Sequence, residues 1–411
     1  MSFSTLGLSP ALLRAVREQG YHAPTPIQSA AIPAVLGGGD VLGLAQTGSG
    51  KTAAYALPLL QRVLAARDGG PRRLRALLLL PTRELAEQVG EVLREFARAL
   101  PEPLKIAIAY GGVSINPQLM ALRGGVDIMV ATPGRLLDLV EHNALRLDTA
   151  QTLVLDEADR LLALGFAEEL QRVLGLLPAQ RQNLFFSATF APAVQALADA
   201  LLREPQRIAI EATPAELPDI VQRAIQVDTA ARTPLLRHLI ATEAWPRLLV
   251  FVATKYAAEH VSDKLWKTGI KAAALHGELS QGTRRQVLAA LKANEIQVLV
   301  ATDVAARGLD IPELPAVLNY ELPRSPADYT HRIGRTGRAG ASGVALSFIT
   351  ADTEAHFRLI EKRQGQRVAR EQIAGFEPGE VASEAQAVGG IKGKRKSKKD
   401  KLREAAAQSA S

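Results

Sequence analysis

The chain has 411 residues and no cysteine, which excludes disulfides and thiolate metal sites. Aromatic residues are scarce, at 4% of the sequence, so its cores must be largely aliphatic. No apolar run approaches the ~20 residues a membrane span needs. The longest conspicuous one, Ala76 to Leu80, has the length of a buried strand. The opening MSFSTLGLSP has no basic start followed by an apolar stretch, so it does not read as a secretory signal. These absences lead to the expectation of a cytoplasmic protein with no membrane partner. Most of the chain also lacks net charge. The whole excess of +7 lies in Ile391 to Arg403, IKGKRKSKKDKLR, where eight Lys and Arg face one Asp. A polyanion suits that end, and a merely solvated, solubilising end is the other reading. A nucleic-acid site on the body must come from local placement of charge.

What is present is an alternation. Short apolar runs end in small or polar residues at Val41–Ala45, Ala76–Pro81, Lys105–Tyr110, Val126–Ala131, Thr152–Leu155, Asn183–Ser187 and Arg207–Ile210. Helical patterns lie between them, as βαβ units around a parallel sheet require. TPAELPD, within Ala212–Asp219, reads as a linker. The alternation restarts at Arg247–Ala253, Ile270–His276, Ile296–Ala301, Ala316–Glu321 and Gly343–Ile349. The expected layout is a first α/β lobe over 1–211, a linker over 212–219, a second lobe over 220–370 and a disordered, basic, low-complexity tail over 371–411.

AQTGSGKT, Ala45 to Thr52, follows an apolar strand and precedes a helical run. That is the setting of a phosphate-binding loop, in which backbone amides and a helix N-terminus face phosphate oxygens. Ala45, Gln46, Thr47, Gly48, Ser49, Gly50, Lys51 and Thr52 are therefore candidate ATP contacts. Lys51 would reach the β and γ phosphates and Thr52 would support Mg2+. The strict pattern starts with Gly, and Ala45 stands there instead; a glycine-rich turn with an incidental lysine is the bland alternative. LVLDEADR supplies the acids such a loop needs: Asp156 for Mg2+, directly or through water, and Glu157 for the attacking water. An acidic first turn of a helix would also account for them. HRIGRTGR, from His331, crowds Arg332, Arg335 and Arg338 into eight glycine-broken residues. Arg335 and Arg338 read as arginine fingers delivered from the second lobe to the charge that develops on a transferred phosphoryl group. Contacts to RNA or to first-lobe acids remain the other possibility.

GYHAPTPIQ, AQTGSGKT, PTRELAEQ, the glycine pair at 111–112, TPGR, DEAD, SAT, VATDVAARGLD and HRIGRTGR occur in this order. Together they resemble a DEAD-box ATP-dependent RNA helicase over about residues 1–350, and FSTLGLSP and YGGVSINPQ are similar to the bacterial RhlE-like subgroup. The resemblance implies two tandem RecA-like parallel-sheet lobes flanking an ATP and RNA cleft, with a Q motif at about 1–29. It implies that Gln28 reads the adenine edge, with Tyr21 and Phe3 framing the base, and that Asp310 approaches the ribose. Ser187 and Thr189 would link hydrolysis to duplex opening, Asp159 and His331 would sense closure, and Arg307 would meet the nucleotide or the closing interface. RNA would contact Thr82, Arg83, Gly112, Thr132 and Arg135 on the first lobe and His276, Gly277, Arg284 and Thr302 on the second. Small residues and arginines suit sequence-independent contact to phosphate and 2′-OH, and few aromatics are available for stacking.

The expected activity is RNA-stimulated hydrolysis of ATP that opens short duplexes or remodels RNA–protein complexes as the lobes close. An ATP-dependent RNA clamp or chaperone with little productive unwinding is the alternative, and a related DNA helicase is a third reading. Ribosome assembly and RNA decay are both open as the pathway, as are protein partners from either.

Overall fold

In the computed structural model, residues 2–46, 48–210, 220–306, 314–337 and 342–379 are described. All seven apolar runs of the first half form strands: β1 (Val41–Leu44), β2 (Ala76–Leu79), β3 (Ile106–Ala109), β4 (Ile128–Ala131), β5 (Thr152–Leu155), β6 (Gln182–Ser187) and β7 (Gln206–Ala209). They pair in parallel in the order β3-β4-β2-β5-β6-β1-β7. Alternation along each strand divides the core. Ala76, Leu78, Ile128, Val130, Val154, Leu184 and Phe186 pack under the helices Pro26–Leu36, Lys51–Ala65 and Arg83–Ala97. Leu77, Leu79, Met129, Leu153, Leu155 and Phe185 pack under Pro133–Glu141, Ala167–Leu176 and Pro192–Leu201. Both faces are covered, so nearly every strand position is apolar, as parallel sheets demand.

The second half repeats the plan. Its strands are β8 (Ile220–Gln226), β9 (Leu248–Val252), β10 (Ala272–Leu275), β11 (Val298–Thr302), β12 (Ala316–Asn319), β13 (Gly343–Ile349) and β14 (Arg370–Glu371). Their order, β10-β11-β9-β12-β13-β8-β14, is the first sheet's order renumbered strand for strand. The two sheets therefore share one RecA-like topology. The chain divides into compact units Met1–Leu217 and Pro218–Ser411.

Two features of the second unit escape the apolar-run pattern. β8 carries Gln222 and Arg223 mid-strand and is only partly buried, so it has no continuous apolar run. β14 is two residues long, and the chain stays packed beyond it: Phe376 lies 5.4 Å from the His238 ring, and the Gly379 amide donates to Asp228 at 2.9 Å. The stretch 371–379, placed in the tail from composition, packs on the second unit through Ile373 and Phe376 as well as through polar contacts. The linker 212–219 and the tail from residue 380 lie outside the described residues. Among the described residues no helix is long and apolar enough to cross a membrane.

Candidate functional site

Parallel strands all point their carboxyl ends to one edge, and loops at that edge are where α/β sheets place ligands. In the first unit the motif residues gather there in two groups. The loops after β1, β6 and β5 carry the glycine-rich loop, the SAT motif and the DEAD acids. Those after β2, β4 and β3 carry Thr82 and Arg83, Thr132 and Arg135, and Gly112.

The glycine-rich loop closes on itself. Ser49 donates to the Gln46 carbonyl at 2.8 Å, and Lys51, almost fully buried at the helix start, donates its ammonium to the Ala45 carbonyl at 2.6 Å. Ala45, at the position where the strict pattern has Gly, is buried, and its amide donates to Ser187 at 3.2 Å, which ties the loop to β6. Gly50 sits at φ 92°, and a Cβ there would stand 2.5 Å from Gln28 Nε2, so the position admits only glycine. Gly48 and Gln46 are exposed and Thr52 is half-buried.

Gln28 is buried, and its amide is engaged at both ends: it accepts from the Thr25 amide at 3.0 Å and donates to the Gly50 carbonyl at 3.2 Å. It braces the phosphate loop from behind. Tyr21 packs its ring 6.4 Å from Phe3 and 5.8 Å from Phe96, and burial followed by the nearby Glu95 charge raises its phenol above the ordinary value.

The two acids after β5 engage different partners. Asp156, 3% exposed, accepts from the Tyr55 hydroxyl at 2.8 Å and from the Glu157 amide at 2.8 Å. Burial pushes its carboxyl above the usual range, and the Lys51 charge pulls it back. Glu157 adopts a left-handed backbone at φ 50°, a strain of about 1–2 kcal/mol for a residue with a Cβ. That turn, two residues past the end of β5, starts the helix Ala158–Ala163, and Glu157 pairs with buried Arg160. A relay leads on from this helix: Asp159 accepts from the Thr189 hydroxyl at 2.9 Å, and the Thr189 carbonyl accepts from Ser187 Oγ at 2.8 Å.

The second group is built of hydroxyls, a glycine and arginines. Thr82 caps the helix Arg83–Ala97 by accepting from Leu85 at 3.3 Å, and Gly112, at φ 75°, lies directly against the Arg83 guanidinium. Thr132 is buried at the head of the helix Pro133–Glu141. Arg135 is 8% exposed; it donates to the Val113 carbonyl at 2.7 Å and to Asp138 at 3.3 Å, while its Nη1 has no partner in the protein. A buried guanidinium nitrogen without an acceptor is costly unless an anion completes it.

Comparison with known proteins now has a geometry to meet. Residues 25–197 match the DEAD/DEAH box helicase family model and residues 231–340 the helicase conserved C-terminal domain. The chain is 42% identical over 372 residues to the ATP-dependent RNA helicase DeaD of Mycobacterium tuberculosis. It is 40% identical over 369 residues to the DEAD-box ATP-dependent RNA helicase CshA of Bacillus cereus. These matches take in 90% of this chain, but 65% of the mycobacterial protein and 69% of the Bacillus one. The chain belongs to the DEAD-box helicase family. The subgroup stays an expectation, since these relatives carry DeaD and CshA names. Among solved structures, S. cerevisiae Dbp5 bound to RNA and ADP BeF3 is 31% identical with a TM-score of 0.79, covering 90% of this chain and 95% of that one. Mss116p bound to ssRNA and AMP-PNP is 26% identical with a TM-score of 0.79, covering 92% of this chain and 78% of that one.

In the second unit of this DEAD-box chain, Arg332 and Arg335 of HRIGRTGR differ in their surroundings. Arg332, in the last turn of the helix Pro326–Ile333, is 2% exposed and saturated. It forks onto Asp303 at 2.6 and 2.7 Å, donates to Asn319 at 3.0 Å and to the Glu321 carbonyl at 2.6 Å, and lies 5.0 Å over the Phe251 ring. Arg335, past the helix end, is buried and donates to the His331 carbonyl at 3.3 Å; both line a small pocket with Asp303 and Phe251. His276 is buried after β10, its Nε2 3.1 Å from Glu259, and exposed Gly277 follows it. Arg284 is buried in the helix Gln281–Lys292 and donates to the Ala305 carbonyl at 3.5 Å; half-buried Thr302 ends β11. These four stand at the β10–β11 side of the sheet, the counterpart of the β3–β4 side in the first unit. Thr47, Arg307, Asp310 and Arg338 lie outside the described residues.

Sequence reasoning missed Tyr55, Arg160 and the inward role of Arg332. A signal existed for two of them: Tyr55 is three and four residues past Thr52 and Lys51, and Arg160 three past Glu157, spacings that share a helix face.

Proposed function

We propose that this chain hydrolyses ATP in an RNA-stimulated manner and uses the cycle to open short RNA duplexes locally. The observation that carries the reading is the division of one sheet edge. A buried lysine and two acids surround a phosphate loop on one half; hydroxyls, a glycine and an incompletely satisfied arginine occupy the other.

On this reading Lys51 and the loop amides hold the β and γ phosphates, Gln28 braces the loop beneath the base, and Tyr21 and Phe3 support the adenine side. Among the described residues no three His, Cys, Asp or Glu cluster as a metal cage. One hydroxyl and one carboxylate nonetheless suit Mg2+, which keeps several waters and shares its coordination with phosphates. Thr52 and Asp156 would hold it, and it would neutralise charge on the phosphate oxygens. Glu157 orients the attacking water. Arg335 and Arg338 stabilise the charge that develops on the transferred group, Asp310 approaches the ribose, Arg307 meets the nucleotide or the closing interface, and His331 joins Asp159 in sensing closure. The Asp159–Thr189–Ser187 relay passes the state of the acids to the RNA side. RNA lies along Thr82, Arg83, Gly112, Thr132 and Arg135, and along His276, Gly277, Arg284 and Thr302, held by phosphate and 2′-OH. ATP and RNA reinforce one another because each favours the same arrangement of the units.

The test is ATP turnover with and without structured RNA, beside displacement of one strand from a short RNA duplex. Stimulated turnover with strand release supports the proposal. ATP-dependent RNA retention without release identifies a clamp, and equal stimulation by single-stranded DNA overturns the RNA assignment.

A further inference from the structure

Tyr55 is the one polar side chain in the buried middle of the helix that follows the phosphate loop, and it is completely buried. Its ring is tilted at 48° against Phe186, centroids 5.3 Å apart, and Phe186 in turn fills the space beside Gly43, where a Cβ would stand 2.5 Å from the ring. The ring therefore has no room to turn. Its hydroxyl crosses from the β1 side of the sheet, past the end of β6, to Asp156 Oδ2 at 2.8 Å. Tyr55 thus holds the carboxylate that the proposed function assigns to Mg2+. The remaining Asp156 oxygen is held by the Glu157 amide at 2.8 Å, so the carboxylate is fixed at both ends. A buried phenol needs some acceptor, and satisfaction of that need is the plainer role. Two features favour more: the acceptor chosen is the DEAD aspartate, and it lies at the functional edge.

We infer that Tyr55 is a positioning residue for Mg2+ binding, holding the Asp156 carboxylate in the orientation that receives the ion. The inference rests on the proposed phosphate and Mg2+ site. It predicts that losing the hydroxyl weakens the ion's hold while leaving the nucleotide's own hold intact.

The experiment uses the full chain and a fluorescent ADP analogue, titrated with Mg2+ and compared with EDTA. In Tyr55→Phe, half-saturation should need about 5- to 10-fold more Mg2+, the scale of one ordinary hydrogen bond. Affinity in EDTA should stay within about 2-fold of wild type, which also checks that the variant is folded. Adding Tyr55→Phe to Asp156→Asn should cause less than about a 2-fold further change, because the group being positioned is gone. An unchanged Mg2+ requirement overturns the inference. So does an equal loss in EDTA, which would place the hydroxyl in the fold or the phosphate loop. Failure of the wild type itself to bind nucleotide, or to respond to Mg2+, would instead overturn the underlying site.

Discussion

Arg370 offers a perturbation whose size follows from the structure. It is the first residue of β14 and clamps two acids of the helix Glu354–Gln364. Its guanidinium reaches Glu354 at 3.0 Å twice, Glu361 at 2.9 and 3.0 Å, and lies 4.8 Å over the Phe357 ring. The Glu361 side chain is 3% exposed. Burial alone would raise its carboxyl, yet Arg370, the Val368 amide and Arg367 hold it down at about 2, against 4.5 unperturbed. That interval is worth about 3 kcal/mol at neutral pH. A second route agrees: stranding a buried charge costs about 3–5 kcal/mol, and exposed Arg367, 3.4 Å from Glu361, offsets some of it. Arg370→Ala should therefore destabilise the second unit by about 3 kcal/mol, lowering its urea midpoint by about 1–2 M. Both tryptophans, buried Trp245 and exposed Trp266, lie in this unit, so fluorescence follows its unfolding alone. The pH dependence has a fixed sign. Glu361 is depressed when folded, so its contribution is complete above about 4.5 and fades as pH falls toward 2. The gap between wild type and variant should shrink to less than half by about pH 3. A neutral-pH midpoint within about 0.3 M of wild type, or a gap that widens in acid, would refute the reasoning.

Three further outcomes are expected. Glu157→Gln should keep nucleotide and RNA affinity while turnover falls about 100-fold or more, the scale of a lost general base; lost binding would make the acid structural. Deleting 391–411, with its eight Lys and Arg, should leave basal ATP turnover unchanged and weaken RNA binding most at low salt, visible as a shallower salt dependence of affinity; equal affinity at every salt concentration would reduce the tail to a solvated end. Arg332→Lys should lower the tryptophan-detected stability by about 2 kcal/mol or more, since a lysine cannot replace the fork onto Asp303. Arg335→Lys should spare stability and slow hydrolysis, and the reverse ranking would overturn their assigned roles.

Much of the fold was legible because parallel strands covered on both faces must be apolar at nearly every position. Leu77 and Leu79 serve one core and Ala76 and Leu78 the other, so all four read as a single run. β8 broke that rule. It has only a two-residue strand beyond it, and its exposed side tolerates Gln222 and Arg223, the latter paired with Glu243 and Glu371. The packed stretch 370–379 was hidden for a related reason. Ion pairs and two isolated apolar residues, Ile373 and Phe376, hold it, and composition cannot distinguish so short a stretch from a solvated tail.

The site divides along the same line. Loop and acids were legible because phosphate chemistry demands particular residue types at particular spacings. Partners across the fold were not: Tyr55 and Asp156 are 101 residues apart, and only the sheet order, which sets β1 and β5 on either side of β6, brings them together. The arginine repeat shows the same limit at short range. A spacing of three suggests one face and one task, but the helix ends at Ile333. Arg332 precedes that end and turns inward, spending donors on Asp303, Asn319 and Glu321. Arg335 follows it, outside the helical repeat. Arg332 is thereby committed to holding β11 and β12 in place, which a spacing of three in the sequence does not reveal.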